Sequence, residues 1–227
     1  MPGLPLQALA ALTSVSTVTD RQRRLEVCQA LATLLPQGGP RRGATVGVGT
    51  GSVPGESTLA LALVSAASQA GQWVAMVGIP ALGAVAAAQL GLDLNRVVLV
   101  AQPDHHWPVV TAALLESMTA VVVRPPGPVR PADARRLVAR ARERNAVLVV
   151  LGEGWPEGVD LRLTVTRATW EGLADGHGHL RARLAEVTVT GRRAGGTPRC
   201  GWLWLPGPDG TVSTAGAAAS AVPSLVG

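Results

Sequence analysis

The sequence contains no lysine, phenylalanine or tyrosine, and only two of its 227 residues are cysteines. Without lysine, no residue can act as the cation of a phosphate-binding loop, a Schiff-base amine or a lysine base. Cys28 and Cys200 have neither metal-ligand nor redox spacing. We therefore expect no disulfide framework and a reducing, cytoplasmic location. The apolar run at 59–67 is too short to cross a bilayer, and the N-terminus lacks the basic region of a signal peptide, so we expect no membrane association.

The residues that are present fit one globular domain. Hydrophobic residues make up 47% of the chain and charged residues 15%, which favours a single α/β domain with a full core. The net charge of +5 leaves room for a nucleic-acid partner but is modest for this length.

Apolar strands alternate with helical patterns through the first two thirds of the chain, which predicts a parallel sheet covered by helices on both faces. After residue 151 the pattern changes to strands joined by glycine-rich turns, which predicts an antiparallel extension at one edge. We divide the chain into an N-terminal helical segment (1–43), an α/β core (44–206) and a flexible C-terminal tail (207–227). The predicted helices are 20–35, one starting at 56 or 57, 81–90, 107–118 and 131–145, and the predicted C-terminal strands are 160–166, 180–190 and 199–205.

The stretch 44–63 organises the chain as a short strand, a glycine-rich turn and an apolar helix. This is the layout of a phosphate-binding loop, G-x-x-x-x-G-K-[ST], with Gly55 as the second glycine and Ser57 at the magnesium-binding position. Gly49 and Gly51 lie one residue to either side of the first glycine position, and Glu56 occupies the lysine position. A carboxylate would repel nucleotide phosphates, so we predict a degenerate loop with the shape of the motif and without its chemistry. A dinucleotide-binding pattern is not matched, because Ser52 and Pro54 stand where the third glycine would be.

The segments 55–61 and 90–97, the latter leading to Gln102-Pro103-Asp104, resemble the bacterial RecA ATPase core. The resemblance covers roughly residues 20–207 and implies a RecA-like P-loop fold. Within that superfamily the chain resembles the actinobacterial ImuA-type (ImuA-prime) proteins, accessory subunits of the DNA-damage-induced mutasome. That family implies a role in error-prone translesion synthesis within the SOS response. It implies an ImuB-type, catalytically inactive Y-family polymerase homologue as the direct partner, and an error-prone replicative-type polymerase as an indirect one.

The departures from the RecA pattern predict a protein that is not an enzyme. The resemblance places the Walker B aspartate at Arg124 and the water-positioning glutamate at Ile79-Pro80, and the lysine is Glu56. Phosphoryl transfer needs all three groups together, so we expect no catalysis, no cofactor and no metal. The loop 152–159 is short and acidic, which leaves at most weak DNA binding. The alternatives are a divergent RecA-type nucleotide-dependent recombinase or ATPase, and a DNA-binding module without ATPase activity.

Two groups of residues are candidates for partner binding. Arg136, Arg140 and Arg144 share one stripe of the helix 131–145, which fits a solvated face, an acidic protein partner or nucleic acid. Trp155 and Trp170 are interface anchors if they are exposed, and core residues if they are not. We place the partner site in the C-terminal part of the chain, from Trp155 onward. Asp104-His105-His106 could ligate a metal, but a polar strand-to-helix loop is the favoured interpretation, and His177 and His179 fit a solvated turn.

Overall fold

The computed structural model describes residues 22–49, 51–174, 177–192 and 197–216. The helices within these ranges are α1 (Gln29–Leu34), α2 (Glu56–Gln69), α3 (Ala84–Gln89), α4 (Trp107–Leu114) and α5 (Pro131–Arg144). The strands are β1 (Thr45–Gly49), β2 (Val74–Val77), β3 (Val97–Val100), β4 (Ala120–Val123), β5 (Val147–Leu151), β6 (Leu161–Ala174), β7 (His177–Thr190), β8 (Arg199–Trp204) and β9 (Ser213–Thr214). No helix of this part of the chain is both long and apolar enough to cross a bilayer.

The strands form a single mixed sheet in the order β3-β2-β4-β5-β1-β6-β7-β8-β9. Neighbouring strands are parallel from β3 to β6 and antiparallel from β6 to β9. The predicted α/β class is confirmed, with a mostly parallel sheet and antiparallel strands at the C-terminal side. Continuous apolar runs such as Val121-Val122-Val123 form the inner strands because a parallel sheet is buried on both faces.

Two hydrophobic layers lie on opposite faces of the sheet. Side chains alternate along a strand, so Met76 of β2 joins the layer under α1, α2 and α3, and the adjacent Val77 joins the layer under α4 and α5. Helix α2 is buried almost all round, as its apolar sequence predicts. It begins directly after the loop that leaves β1, at the edge of the sheet where the parallel strands end.

The strands β6 and β7 form a hairpin of fourteen residues per strand that is much longer than the neighbouring strands. Its pairing shifts register between Val165 and Arg167 and again between Glu171 and Leu173. With these shifts Trp170 of β6 lies opposite Arg183 of β7. The hairpin therefore carries two large side chains past the end of β1, beside the glycine-rich loop.

The helix predicted over 20–35 is wrong at residues 23–28, which are not helical and which precede the helix Gln29–Leu34. The backbone N–H of Leu25 donates to the Pro40 carbonyl, and that of Arg42 donates to the Arg23 carbonyl. These bonds flank an isolated antiparallel bridge between Arg24 and Arg41, which replaces the predicted helix here, although Leu25 is buried as the helical spacing required. The rest of the predicted N-terminal segment, residues 1–21, lies outside the described residues.

The sheet continues past residue 206, where we placed the start of a flexible tail. Strand β9 pairs with β8, with Leu203 opposite Thr214 and Trp204 opposite Ser213. The Gly207 N–H also donates to the Thr211 carbonyl, which closes the turn between the two strands. The fold thus includes residues 207–216, and the remaining eleven residues of the predicted tail lie outside the described ranges.

Candidate functional site

The glycines of the loop between β1 and α2 lie against the chain itself. A Cβ at Gly51 would collide with the Val165 carbonyl, and one at Gly49 with the Glu153 carboxylate. Gly55 precedes α2 with φ of 149°, a conformation that side-chain-bearing residues rarely adopt. Close approach of the β6 backbone therefore explains Gly51 without a bound ligand, whereas the Glu153 side chain near Gly49 is exposed and free to move aside. Residue 50 lies outside the described ranges.

The centre of the site is an ion pair between Glu56, the first residue of α2, and Arg124, the residue after β4. The Arg124 Nη1 lies against the Glu56 Oε1, and the Arg124 Nη2 donates to the Ser57 Oγ at 2.9 Å. Only 12% of the Glu56 side chain is exposed. One guanidinium thus binds two of the predicted loop residues at once.

The resemblance to the RecA core implies a phosphate-binding cation at position 56 and a metal-binding carboxylate at position 124. This chain has a carboxylate at the first position and a cation at the second, and the two side chains pair with each other. The hydroxyl expected to bind magnesium accepts from Arg124 instead. These three side chains offer no free cation to a nucleotide phosphate, and their one unpartnered oxygen, the Glu56 Oε2, is buried.

The sequence predicted both departures separately but not their contact. The two residues are 68 positions apart, and only the sheet order brings the end of β4 close to the start of α2. The sequence nevertheless contained a signal for this contact. A glutamate stands where the motif has a lysine and an arginine where it has an aspartate, so the two positions keep opposite charges. The third position, where a water-positioning carboxylate was expected, holds Ile79 buried in the core and exposed Pro80.

A second feature lies on the outer side of the same loop. An open cavity of about 660 Å³ is lined by residues 51–58 of the loop and α2, and by Trp170 and Arg183 of the hairpin. Trp170 is 41% exposed, and its ring centroid lies 5.6 Å from the Arg183 guanidinium carbon. Of the predicted anchors, Trp170 is therefore accessible and borders a cavity.

Arg183 is a buried cation, with only 4% of its surface exposed. Its Nη2 donates to the Pro54 carbonyl, whereas its Nε is buried and has no hydrogen-bond partner. No carboxylate of the described residues forms an ion pair with it. Burial lowers the pKa of the Arg183 guanidinium from its usual value, and arginine nevertheless stays charged at neutral pH.

Sequence reasoning missed Arg183, although a signal was available. Alternate residues of a strand share a face, and Arg183 therefore shares one with Ala185, Val187 and Val189, which are all fully buried. An arginine in the middle of an apolar strand face indicates a buried charge. Such a residue requires a partner or a function.

Trp155 is not an exposed anchor. It is 8% exposed and belongs to the apolar layer under α4 and α5. It borders a smaller cavity of about 260 Å³ together with Arg124. Trp155 was a candidate anchor only if exposed, so its burial favours the alternative of a core residue.

The arginine stripe on α5 is partly neutralised by neighbouring glutamates. Glu116, beyond the end of α4, pairs with Arg140 at 3.0 Å and with Arg144 at 2.7 Å. Arg140 also contacts Glu143 at 3.2 Å. Arg136 is exposed on the same face. The stripe therefore presents less positive charge than its sequence suggests.

The remaining candidates lie apart from the loop. Among the described residues, no group of three or more His, Cys, Asp and Glu side chains is arranged to hold a metal ion. Asp104, His105 and His106 form a 3-10 turn with exposed side chains, which agrees with the polar-loop interpretation. The side chains of His177 and His179 are outside the described part of the structure.

Residues 33–157 match the family model described as the MT3502 N-terminal domain, which is more than half of the chain. The chain belongs to this family. It is also 33% identical over 175 residues to the uncharacterized protein Rv3395c of Mycobacterium tuberculosis, an alignment covering 71% of this chain and 85% of that protein. The relative is actinobacterial, as the sequence resemblance anticipated.

The MT3502 N-terminal domain region runs from the last turn of α1 to the loop before β6. It contains both members of the Glu56–Arg124 pair. Trp170 and Arg183 lie beyond it, on the antiparallel hairpin. The family region thus supplies Arg124, which binds Glu56, whereas the part of the chain beyond it supplies the two residues that border the cavity.

Proposed function

We propose that this chain is a non-catalytic adaptor that binds other proteins in a DNA-damage-induced mutasome. The main support for a non-catalytic role is the Glu56–Arg124 ion pair. A RecA-type ATPase needs these two positions to bind phosphate and metal. Ile79 and Pro80 occupy the third. Phosphoryl transfer depends on positioned charges, and here they are reversed or missing.

The finer interpretation of the fold is a RecA-like core. It is supported by the parallel strands, the glycine-rich loop between β1 and α2, and the antiparallel strands that follow β5. The resemblance in the segment 90–104 supports it as well. A retained fold with an internally neutralised loop is the expected result when a domain serves for binding and not for catalysis.

The partner is proposed from the ImuA-type resemblance. It is an ImuB-type inactive Y-family polymerase homologue, which connects the chain indirectly to an error-prone replicative-type polymerase. An actinobacterial relative is consistent with this assignment. The adaptor would act in translesion synthesis by holding these proteins together.

The test of the non-catalytic role is calorimetric titration with ATP and magnesium, with an active RecA-type ATPase as the positive control. We expect no measurable heat of binding and no phosphate release. The Glu56→Gln variant is the matched control, because it removes the repelling carboxylate and preserves the side-chain shape. A micromolar Kd for the natural chain would overturn the proposal and favour the divergent RecA-type recombinase.

The test of the partner is co-expression with the inactive polymerase homologue, followed by size-exclusion chromatography. We expect the two chains to elute together. Separate elution of two folded proteins would contradict the mutasome assignment while leaving the non-catalytic role intact.

A further inference from the structure

The outer side of the glycine-rich loop has an unbalanced charge. The charged residues that line the cavity of about 660 Å³ are Glu56 and Arg183. Glu56 is already paired with Arg124, whereas Arg183 is without a carboxylate among the described residues. With the Glu56–Arg124 pair counted as neutral, Arg183 is left as one unmatched positive charge at the cavity.

Two further features favour an anion at this place. Helix α2 is fourteen residues long, and its N-terminus has no side-chain cap, so free N–H groups and the helix dipole make this end positive. Arg183, 4% exposed, also has a buried Nε without an acceptor. A buried unpaired cation is costly for a fold, and a bound anion would offset that cost.

We propose that this cavity binds an acidic segment of a partner protein, with one carboxylate on Arg183 and a neighbouring apolar side chain against Trp170. The proposal rests on the adaptor role, because it specifies the chemistry that the adaptor recognises. Arginine and carboxylate form charge-assisted hydrogen bonds, which are stronger than those between neutral groups. Val53, Pro54 and the exposed indole of Trp170 provide an apolar surface beside that pair.

The charges favour a carboxylate over a phosphate. One carboxylate balances the single unmatched cation, whereas a phosphate group adds a second negative charge. The Glu56 Oε2 is buried without a hydrogen-bond partner at the same end of α2. Its repulsion grows with the charge of the ligand, which disfavours the more highly charged anion.

The experiment starts with a random-peptide phage library selected on the full chain. We expect the enriched peptides to carry Asp or Glu next to an aromatic or large aliphatic residue. The strongest peptide is then synthesised with a fluorescent label and titrated by anisotropy. Selection of peptides without an enriched acidic residue, or of none, would overturn the proposal.

Substitutions then locate the binding. Arg183→Gln should weaken binding of the labelled peptide roughly tenfold or more, since it removes a charge-assisted pair. Arg167→Gln is the matched control, because Arg167 lies on the same hairpin, is exposed and already pairs with Glu186 at 3.6 Å. Trp170→Ala should weaken binding several-fold without affecting the fold, since the indole is partly exposed. Unchanged affinity of Trp170→Ala would overturn the proposal even if Arg183→Gln folded poorly, because Trp170 lines the same cavity.

Competition distinguishes the anion. The same peptide with its acidic residues changed to Asn or Gln should not compete, and neither should inorganic phosphate or ATP at millimolar concentration. Competition by phosphate or ATP would overturn the carboxylate assignment. Because the peptide selection does not use the polymerase homologue, its failure is distinct from a failure of the mutasome assignment.

Discussion

Two arginines bind the segment where the glycine-rich loop meets α2, Arg124 at Glu56 and Ser57 and Arg183 at Pro54, and their surroundings differ. Arg124 follows a parallel strand, forms an ion pair with Glu56 and lies beside the buried Trp155. Arg183 lies on the antiparallel hairpin, has no acidic partner in the described structure and contacts the exposed Trp170. The charges on the Arg124 side of the loop, which we call the inner side, are therefore paired. The cavity side, which we call the outer side, carries the unpaired charge of Arg183. We interpret the first as a structural device and the second as a binding surface.

The largest expected difference between the two sides is in the stability lost when the tryptophan of each side is replaced by alanine. Trp155→Ala should lower the free energy of unfolding by about 3 kcal/mol, because it removes a large side chain from the core. Trp170→Ala should change it by less than about 0.5 kcal/mol, since its indole is partly exposed. Urea unfolding monitored by circular dichroism measures both. Similar losses for the two variants would contradict the assignment of Trp170 to a binding surface.

The next effect concerns the ion pair. Arg124→Met should lower the free energy of unfolding by about 2 kcal/mol, because it leaves a mostly buried Glu56 carboxylate without its partner. Glu56→Gln and the double variant complete a double-mutant cycle, for which we expect a coupling of about 1 kcal/mol or more. Additive losses would show that the two side chains do not stabilise each other.

Arg183→Met should behave differently from Arg124→Met. The substitution removes a buried charge that has no acidic partner in the described structure. The free energy of unfolding should therefore fall by no more than about 1 kcal/mol relative to the natural chain, or rise above it. The same unfolding experiment gives the comparison directly. A loss as large as that of Arg124→Met would indicate that Arg183 is needed for the fold, through its bond to the Pro54 carbonyl.

Restoring the motif lysine with Glu56→Lys should not create an ATPase. The new cation would face Arg124, which binds Ser57, the residue at which the RecA resemblance implies a magnesium ligand, and Ile79-Pro80 follow β2 where it implies a water-positioning carboxylate. We expect no phosphate release above background in a coupled assay, together with a lower melting temperature from the like-charge contact. Turnover in this variant would mean that Arg124 moves away easily and that the inner side is less fixed than its contacts indicate.

Local sequence patterns were sufficient for the parallel core and for the loop before α2, because apolar runs and glycines act through neighbouring residues. They were insufficient wherever distant segments meet. The non-helical backbone at Leu25 depends on residues 40–42, and the Glu56–Arg124 contact depends on the strand order. The placement of Arg183 opposite Trp170 depends on the register shift between Val165 and Arg167, which the alternation of side chains alone does not specify.

The smallest effect on stability is expected for the arginine stripe of α5, where the comparison between paired and unpaired cations recurs on the surface. Changing Arg136, Arg140 and Arg144 together to alanine should leave the melting temperature nearly unchanged, because exposed ion pairs such as those to Glu116 contribute at most about 0.5 kcal/mol each. If the stripe binds an acidic partner or DNA, affinity for the polymerase homologue or for labelled single-stranded DNA should fall and lose part of its salt dependence. The single variant Arg136→Ala is the sharper probe, since two of the three arginines already share Glu116. Unchanged binding to both ligands in the triple variant would leave the stripe as a solvated face and the cavity at Arg183 as the better site.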